Sequence, residues 1–175
     1  AGVEIDKFRQ HGDASVVGAG DLPAGARRGR LQTVLSWKNG QPRVRLTHDG
    51  SSWVPHEQYD PDRTATSNVD GVGMRQALAI AAHRRLRIRT MDVTAAYLHA
   101  ERPSGETYYF QLPAGMAGSG PGRLLVTPRG VYGEPSAGYQ WEALLRRTLV
   151  ACGWTNSAAD ASFYYKGASF LVVYT

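Results

Sequence analysis

Cysteine is almost absent from this 175-residue chain, and what is scarce excludes several classes of protein. Cys152 is the single cysteine, so no internal disulfide can form, and neither a Cys-x-x-Cys nor a paired-His spacing predicts a zinc site. This composition fits a reducing intracellular compartment, cytoplasmic or nuclear. No apolar run approaches the roughly 18 residues of a membrane span, and the first residues show no charged-then-apolar leader. We expect no membrane partner.

Lysine is also scarce, because arginine carries almost all of the positive charge. The formal net charge is +5 and the sequence pI about 9.6. Arginine is the better bidentate ligand for phosphate, which makes a polyanionic partner plausible, although a modest positive charge also occurs in proteins that touch no nucleic acid. With 42% apolar residues the chain can bury one core. It begins without Met, from which we expect a piece of a longer protein.

The most informative segment is 86–98, LRIRTMDVTAAYL. Apolar and polar residues alternate over 86–91, which predicts a half-buried strand that ends at Asp92. The residues that follow are small and predict a short helical segment, with Tyr97 five positions after the acid. A carboxylate at the end of a strand suits a metal ligand, but it is also the usual N-cap of a following helix, and both interpretations stay open.

Local patterns predict the remaining elements. Asn39-Gly40 lies between alternating runs over 31–37 and 43–47, which predicts a β-hairpin. A helix capped by Asn68 or Asp70 is expected to end at His83-Arg84-Arg85. We further predict a helix over 3–10, strands over 108–112 and 124–126, a helix over 141–152 and a strand-turn-strand tail, with Phe170–Tyr174 in the middle of a sheet. The sequence over 18–30 predicts a loop with Arg27, Arg28 and Arg30 in it, solvated or against a phosphate backbone.

Four motifs together resemble one family. MDVTAAYLHA at 91–100 resembles the first catalytic motif of copia-type retrotransposon reverse transcriptases, in which an Asp precedes an aromatic residue by five. MRQALAIAA at 74–82 resembles the helix before that motif, and TYYFQLPAGM at 107–116 resembles the strand and turn after it. RGVYGEPSAGYQW at 129–141 is similar to the family's Leu-Tyr-Gly motif. The resemblance extends over roughly residues 13 to 175.

The resemblance implies a role for each candidate site residue. Asp92 would be the catalytic carboxylate and a ligand of Mg²⁺ or Mn²⁺, with two ions expected only in the complete domain. Tyr97 would lie beneath the incoming sugar and exclude a 2′-hydroxyl, so that the substrates are deoxynucleoside triphosphates. Arg45, helped by Arg43, would clamp the triphosphate, and Tyr132 and Gly133 would contact the template and the nascent base pair.

The same resemblance implies an α+β fold and a set of partners. We expect a palm-like region over 71–175, with an antiparallel sheet and flanking helices, and a partial β-rich fingers-like region over 13–70. Residues 1–12 would be an N-terminal extension, and a thumb would be missing. The implied partners are an RNA or DNA template with its primer, deoxynucleotides, and the integrase and ribonuclease H regions of a longer polyprotein.

Two departures from the family pattern bear on activity. Glu134, Pro135 and Ser136 stand where the family has Leu-Lys-Gln, which we expect to weaken attraction for phosphate. Tyr174 and Thr175 occupy the positions just before the family's paired aspartates. We therefore expect the chain as given not to polymerise. The alternative is a decayed or domesticated copy that only binds nucleic acid or acts as an interaction domain.

Overall fold

The computed structural model describes residues 2–50, 60–102, 106–116 and 118–174. The turn-forming residues over 51–71 predict a long connection, of which residues 51–59 lie outside the described residues. The chain divides into two compact units that interleave along the sequence. Unit 1 comprises Ala1–Thr64 and Ala95–Trp141, and unit 2 comprises Ala65–Thr94 and Glu142–Thr175. Within the described ranges, no helix has both the length and the apolar character to cross a membrane.

Unit 1 is built on a five-stranded sheet with the order β1-β5-β4-β2-β3. Its elements are α1 (Gly2–His11), β1 (Ser15–Gly18), β2 (Arg27–Lys38), β3 (Gln41–His48), β4 (Tyr108–Gln111) and β5 (Arg123–Thr127). The sheet is mixed rather than antiparallel as expected, because β2 and β4 pair in parallel. A parallel pair needs a long crossover, and the residues between β3 and β4 supply one.

The predicted hairpin is confirmed and is longer than expected. Asn39 (φ 53°) and Gly40 (φ 72°) form the turn, both in the left-handed conformation that two-residue hairpin loops require. The first four residues of β2 pair with β4, and the rest pair with β3. Every residue of β2 beyond Leu31 is exposed. On β3, Leu46 and His48 near the base of the hairpin are buried, and no residue nearer the turn is.

The arginines predicted to lie in a loop over 18–30 belong instead to β2, so that prediction is wrong. Arg27 donates a hydrogen bond to the Tyr108 hydroxyl at 3.1 Å, and Arg30 forms an ion pair with Asp49 at 2.6 Å. These contacts with residues distant in sequence hold the start of β2 in the sheet. Composition alone did not reveal them, because Gly is depleted in strands and whether such a segment joins a sheet depends on its neighbouring strands.

The core of unit 1 lies between α1 and the sheet. Ile5 and Phe8 of α1 pack into one buried cluster with residues of β4, β5 and the turn after residue 95, among them Phe110, Leu125 and Leu98. Burying side chains of this size contributes about 1.5–3 kcal/mol each. This cluster gives a rigid base to the segments that carry the candidate site.

Unit 2 begins with α2 (Gly71–His83), where Asp70 accepts a hydrogen bond from the Gly73 amide at 2.6 Å and so confirms the predicted cap. The buried face is formed by Gly73, Ala77 and Ala81, whereas Met74 and Leu78 are exposed. The apolar spacing predicts a buried face of Met74, Leu78, Ala81 and Ala82, and of these four only Ala81 is buried. A Cβ at Gly73 would already lie 3.2 Å from the Phe163 ring, so only small residues allow this close approach.

The strand predicted over 86–91 does not form, which corrects the sequence interpretation. The segment has no regular secondary structure, and Ile88 (62%) and Met91 (84%) are largely exposed. A strand needs a neighbour to satisfy its backbone, and the described sheet of unit 2 pairs only β6 (Thr155–Asn156), β7 (Phe163–Lys166) and β8 (Ser169–Val172). The alternating sequence over 86–91 is therefore not enough to form a strand, because no described strand pairs with it.

The helix and the hairpin predicted for the C-terminal part of the chain are both present, but their residues are buried differently from the prediction. Helix α3 (Ala137–Ala151) begins in unit 1 and ends in unit 2. The sequence predicts that Gly153 stops this helix, and Gly153 follows it at φ +83°. The apolar spacing also predicts that Thr148 and Cys152 lie on the buried face, but both are exposed. The tail hairpin of β7 and β8 is confirmed, but β8 lies at the edge of the three described strands rather than in the middle.

Candidate active site

The hairpin of unit 1 presents two of the candidate arginines on one face. Arg43 and Arg45 are two residues apart on β3, so their side chains leave the same side of the ribbon, opposite Ser36 and Val34 of β2. Arg45 is exposed and Arg43 is half-buried. A strand holds such a pair at a fixed spacing, which suits a ligand with several anionic oxygens.

Tyr97 and Tyr132, from distant parts of the chain, meet in unit 1. Tyr97 lies on a single 3₁₀ turn (Ala96–His99), and Tyr132 lies on the loop between β5 and α3. Their ring centroids are 4.9 Å apart with an interplanar angle of 50°. Tilted pairs of this kind contribute about 0.5–1.5 kcal/mol beyond their burial, so each ring restricts the other.

The electrostatics of Tyr132 connect the two tyrosines with the two arginines. Burial raises the pKa of Tyr132, and Arg45 and Arg43 oppose that rise. Both guanidinium groups are therefore within electrostatic reach of the phenol. Four residues predicted separately from the sequence, Tyr97, Tyr132, Arg43 and Arg45, thus share one neighbourhood of unit 1.

Gly133 fastens the Tyr132 loop to the end of β3. The His48 amide donates a hydrogen bond to the Tyr132 carbonyl at 2.5 Å. Gly133 has φ +88°, and a Cβ there would overlap the His48 carbonyl oxygen. The close approach requires glycine. The loop is therefore tied to the strand that carries Arg43 and Arg45.

The same loop carries Glu134, one partner of a buried ion pair that the sequence patterns did not reveal. Arg102 bonds to Glu134 and to the Thr127 carbonyl, and both charged side chains are 1% exposed. The Arg102 guanidinium carbon lies 4.3 Å from the centroid of the Tyr108 ring. The sequence predicts that Glu134 weakens attraction for phosphate; in the structure its carboxylate is enclosed and paired with Arg102. No spacing in the sequence links two residues that are 32 positions apart.

The buried pair makes stability depend on pH. Burial raises the pKa of Glu134 from 4.5 to about 6, although Arg102 acts to lower it. Between pH 4.5 and about 6, Glu134 therefore binds a proton more tightly in the folded protein than in the unfolded chain. We expect the free energy of unfolding to fall by about 2 kcal/mol as pH rises through this window, and Glu134→Gln to abolish that component.

The measurement is urea unfolding of both proteins between pH 4 and 7. Burial lowers the pKa of His48, which acts in the opposite direction, but His48 is present in both proteins and cancels in the difference. Parallel stability profiles for the wild type and Glu134→Gln would contradict this assignment.

Asp92, the candidate catalytic carboxylate, belongs to unit 2 and is exposed. It does not cap an α-helix, because the next helical turn begins at Ala96, after Ala95 in a left-handed conformation (φ 55°). The N-cap alternative is therefore excluded for the described structure. The carboxylate lies in a segment without regular structure, close in sequence to four arginines.

The described residues do not by themselves form a metal site. Among them, no group of three or more His, Cys, Asp or Glu side chains could hold an ion. A single Mg²⁺ can be bound by one or two carboxylates together with substrate phosphates and water, but a centre that holds two ions needs more than one exposed carboxylate.

Comparison with known proteins identifies the family. The sequence profile of "Reverse transcriptase (RNA-dependent DNA polymerase)" matches residues 22–174. Two curated Arabidopsis thaliana proteins, the retrovirus-related Pol polyproteins from transposons RE1 and RE2, are each 26% identical over 132 residues, which is 75% of this chain. The chain spans 9% of the length of each. No solved structure matches it. The copia-type resemblance is confirmed, and the chain belongs to the reverse transcriptase (RNA-dependent DNA polymerase) family.

Proposed function

We propose that the neighbourhood of Tyr97, Tyr132, Arg43 and Arg45 receives the deoxynucleoside triphosphate in RNA-directed DNA synthesis. The observation that carries the proposal is the contact between Tyr97 and Tyr132, on a loop that is hydrogen-bonded to the strand that carries Arg43 and Arg45. Arg45, with Arg43 beside it, binds the triphosphate oxygens, because guanidinium groups form bidentate charge-assisted hydrogen bonds with phosphate. In this assignment residues 13–70 act as the fingers-like region and 71–175 as the palm-like region.

Tyr97 sets the preference for deoxyribose. Its ring is half-buried and packed against Tyr132, so it cannot swing away at low cost when an extra hydroxyl approaches. A pocket that cannot relax rejects the added oxygen by steric clash. Tyr132 and Gly133, held against β3, form the neighbouring surface for the template and the nascent base pair.

Asp92 is proposed as one carboxylate of a two-metal centre for nucleotidyl transfer with Mg²⁺ or Mn²⁺. Such a centre uses the ions to activate the attacking oxygen and to neutralise the leaving group. Because the described residues supply only this one placed carboxylate, we assign no individual step to it. The 175-residue chain alone is expected not to extend a primer.

The partners follow from the same proposal. They are an RNA or DNA template with its primer and deoxynucleoside triphosphates. The relatives are Pol polyproteins by name, which supports integrase and ribonuclease H regions as covalent neighbours.

The test is primer extension on an RNA template by the chain lengthened with the residues encoded after Thr175. Asp92→Asn is expected to reduce extension by at least about 10³-fold, because an amide is a poor ligand for a divalent ion. Asp62→Asn, which changes another exposed carboxylate, is the matched control and should retain activity. Tyr97→Ala should retain extension and admit ribonucleotides.

Three outcomes would count against the proposal. They are equal activity of Asp92→Asn and the control, unchanged sugar discrimination in Tyr97→Ala, or extension by the 175-residue chain itself. A lengthened chain that binds primer-template but never extends it would favour the alternative, a copy that only binds nucleic acid. The observation that favours that alternative is that no group of three or more metal-ligating side chains exists among the described residues.

A further inference from the structure

We propose that Arg84, Arg85, Arg87 and Arg89, named here the arginine strip, bind the phosphate backbone of a nucleic acid. The proposal rests on the proposed function, since it names a contact for the same template and primer. It assigns a second binding site, within unit 2. Because only phosphates are contacted, binding through the strip should be independent of base sequence.

The strip is free to bind. All four arginines are exposed. Within the described ranges, none of the nine ion pairs involves any of them. By contrast, Arg102 and Arg129 elsewhere in the chain are each paired with carboxylates. An unpaired guanidinium keeps all of its donors for a ligand.

The charge balance of unit 2 leaves the strip uncompensated. The unit contains eight Lys or Arg residues and four Asp or Glu residues, which gives it +4 of the chain's +5. Three of its acids are already engaged: Asp70 caps α2, Glu142 binds Ser67 and Arg146, and Asp160 binds Ser162. Asp92 is the fourth. The potential over the strip is therefore positive and attracts polyanions.

The backbone at the end of α2 gives a second observation. The Leu86 amide bonds to the Ala81 carbonyl at 2.8 Å and the Arg85 amide to the Ala82 carbonyl at 3.1 Å. This is a Schellman C-cap, and Arg85 occupies its left-handed position at φ +52°. Glycine is favoured there, because a side chain in this conformation is strained. A non-glycine residue that is kept in a strained conformation suggests that its side chain has a function, and for an arginine that function can be anion binding.

Helix-dipole stabilisation does not explain the whole strip. Cations in the last turn of a helix are favourable, which accounts for Arg84 and Arg85. The effect falls off within that turn, and Arg87 and Arg89 lie beyond it. Phosphate binding accounts for all four. The nucleic acid would then be contacted by residues that are close in sequence to Asp92.

The experiment measures binding of the 175-residue chain to a fluorescent RNA-DNA primer-template duplex by anisotropy between 50 and about 300 mM NaCl. Arg87→Gln/Arg89→Gln is compared with Arg9→Gln/Arg63→Gln, two exposed arginines that already pair with Asp6 and Asp60. Both variants lose two charges. We expect the strip variant to reduce the slope of log K against log salt by about 2, and affinity at 0.1 M salt by about 10- to 100-fold.

A third variant separates binding from folding. Arg85→Gly removes one charge and relieves the strained backbone, so we expect Tm to rise by about 2 °C while the salt slope falls by about 1. A more stable protein that binds more weakly cannot be explained by misfolding.

The outcomes distinguish the two proposals. If the wild type binds but the strip and control variants have equal slopes, the strip is overturned and the proposed function stands. If the wild type shows no binding at 50 mM salt, both the strip and the proposed nucleic-acid partner are overturned.

Discussion

Replacing Arg102 with Met is expected to lower the free energy of unfolding by about 3–5 kcal/mol, one of the largest effects expected for this protein. The substitution keeps an unbranched apolar stem against the Tyr108 and Phe110 rings, so it removes the charge more than the packing. Glu134 is then left enclosed without its partner. The cost comes from that unpaired carboxylate and from the freed Thr127 carbonyl.

The double variant Arg102→Met/Glu134→Met tests this explanation. Two apolar side chains of similar volume should restore most of the lost stability, because desolvating an ion pair consumes much of its Coulombic gain. Arg63→Met, which breaks the exposed pair with Asp60, is the matched control and should cost less than about 1 kcal/mol. Urea unfolding of all four proteins at pH 7.5 gives the comparison. A double variant no more stable than Arg102→Met would show that the pair is not the cause.

Replacing Gly133 with Ala is expected to cost about 3 kcal/mol of folding free energy. Two effects add at this position. The left-handed backbone disfavours any side chain, and the new Cβ would overlap the His48 carbonyl oxygen, so the loop or the end of β3 must move. Since the same loop carries Tyr132, the variant should also lose the contact that holds the Tyr97 ring.

Gly40 gives a matched control for the conformational part. It has φ +72°, but no atom lies within 4 Å of the point that a Cβ would occupy there, so Gly40→Ala meets strain without a clash. We expect a cost of about 1 kcal/mol there. The difference between the two alanine variants, measured by thermal and urea unfolding, isolates the close approach between Gly133 and β3. Equal losses would mean that backbone conformation alone requires glycine at position 133.

The buried ion pair gives a structural reason for Glu134, which stands where the family has a Leu-Lys-Gln run. On sequence grounds, an acid in place of the family's Leu-Lys-Gln run weakened attraction for phosphate. In the structure the Glu134 carboxylate, two residues after Tyr132 in the same loop, is buried and paired with Arg102. An acid at this position is therefore compatible with the proposed nucleotide site when Arg102 is present to pair with it.

The sequence by itself determined the features that depend on a few adjacent residues. Asn39-Gly40 specified its hairpin because both residues adopt positive φ, and Asp70 specified the start of α2 because its carboxylate reaches the free amides of the first turn. The ordered motifs specified the family. They also named Tyr97, Tyr132, Arg43 and Arg45, which the fold then brought together.

Only the tertiary structure decided the features that need a partner from elsewhere in the chain. The pairing of Arg102 with Glu134, the parallel pairing of β2 with β4 and the burial of the small face of α2 each depend on contacts across many residues. The alternation over 86–91 did not become a strand, since no described strand pairs with it. Local preference selects what a segment can be, whereas a neighbouring surface selects which of those states has the lowest free energy.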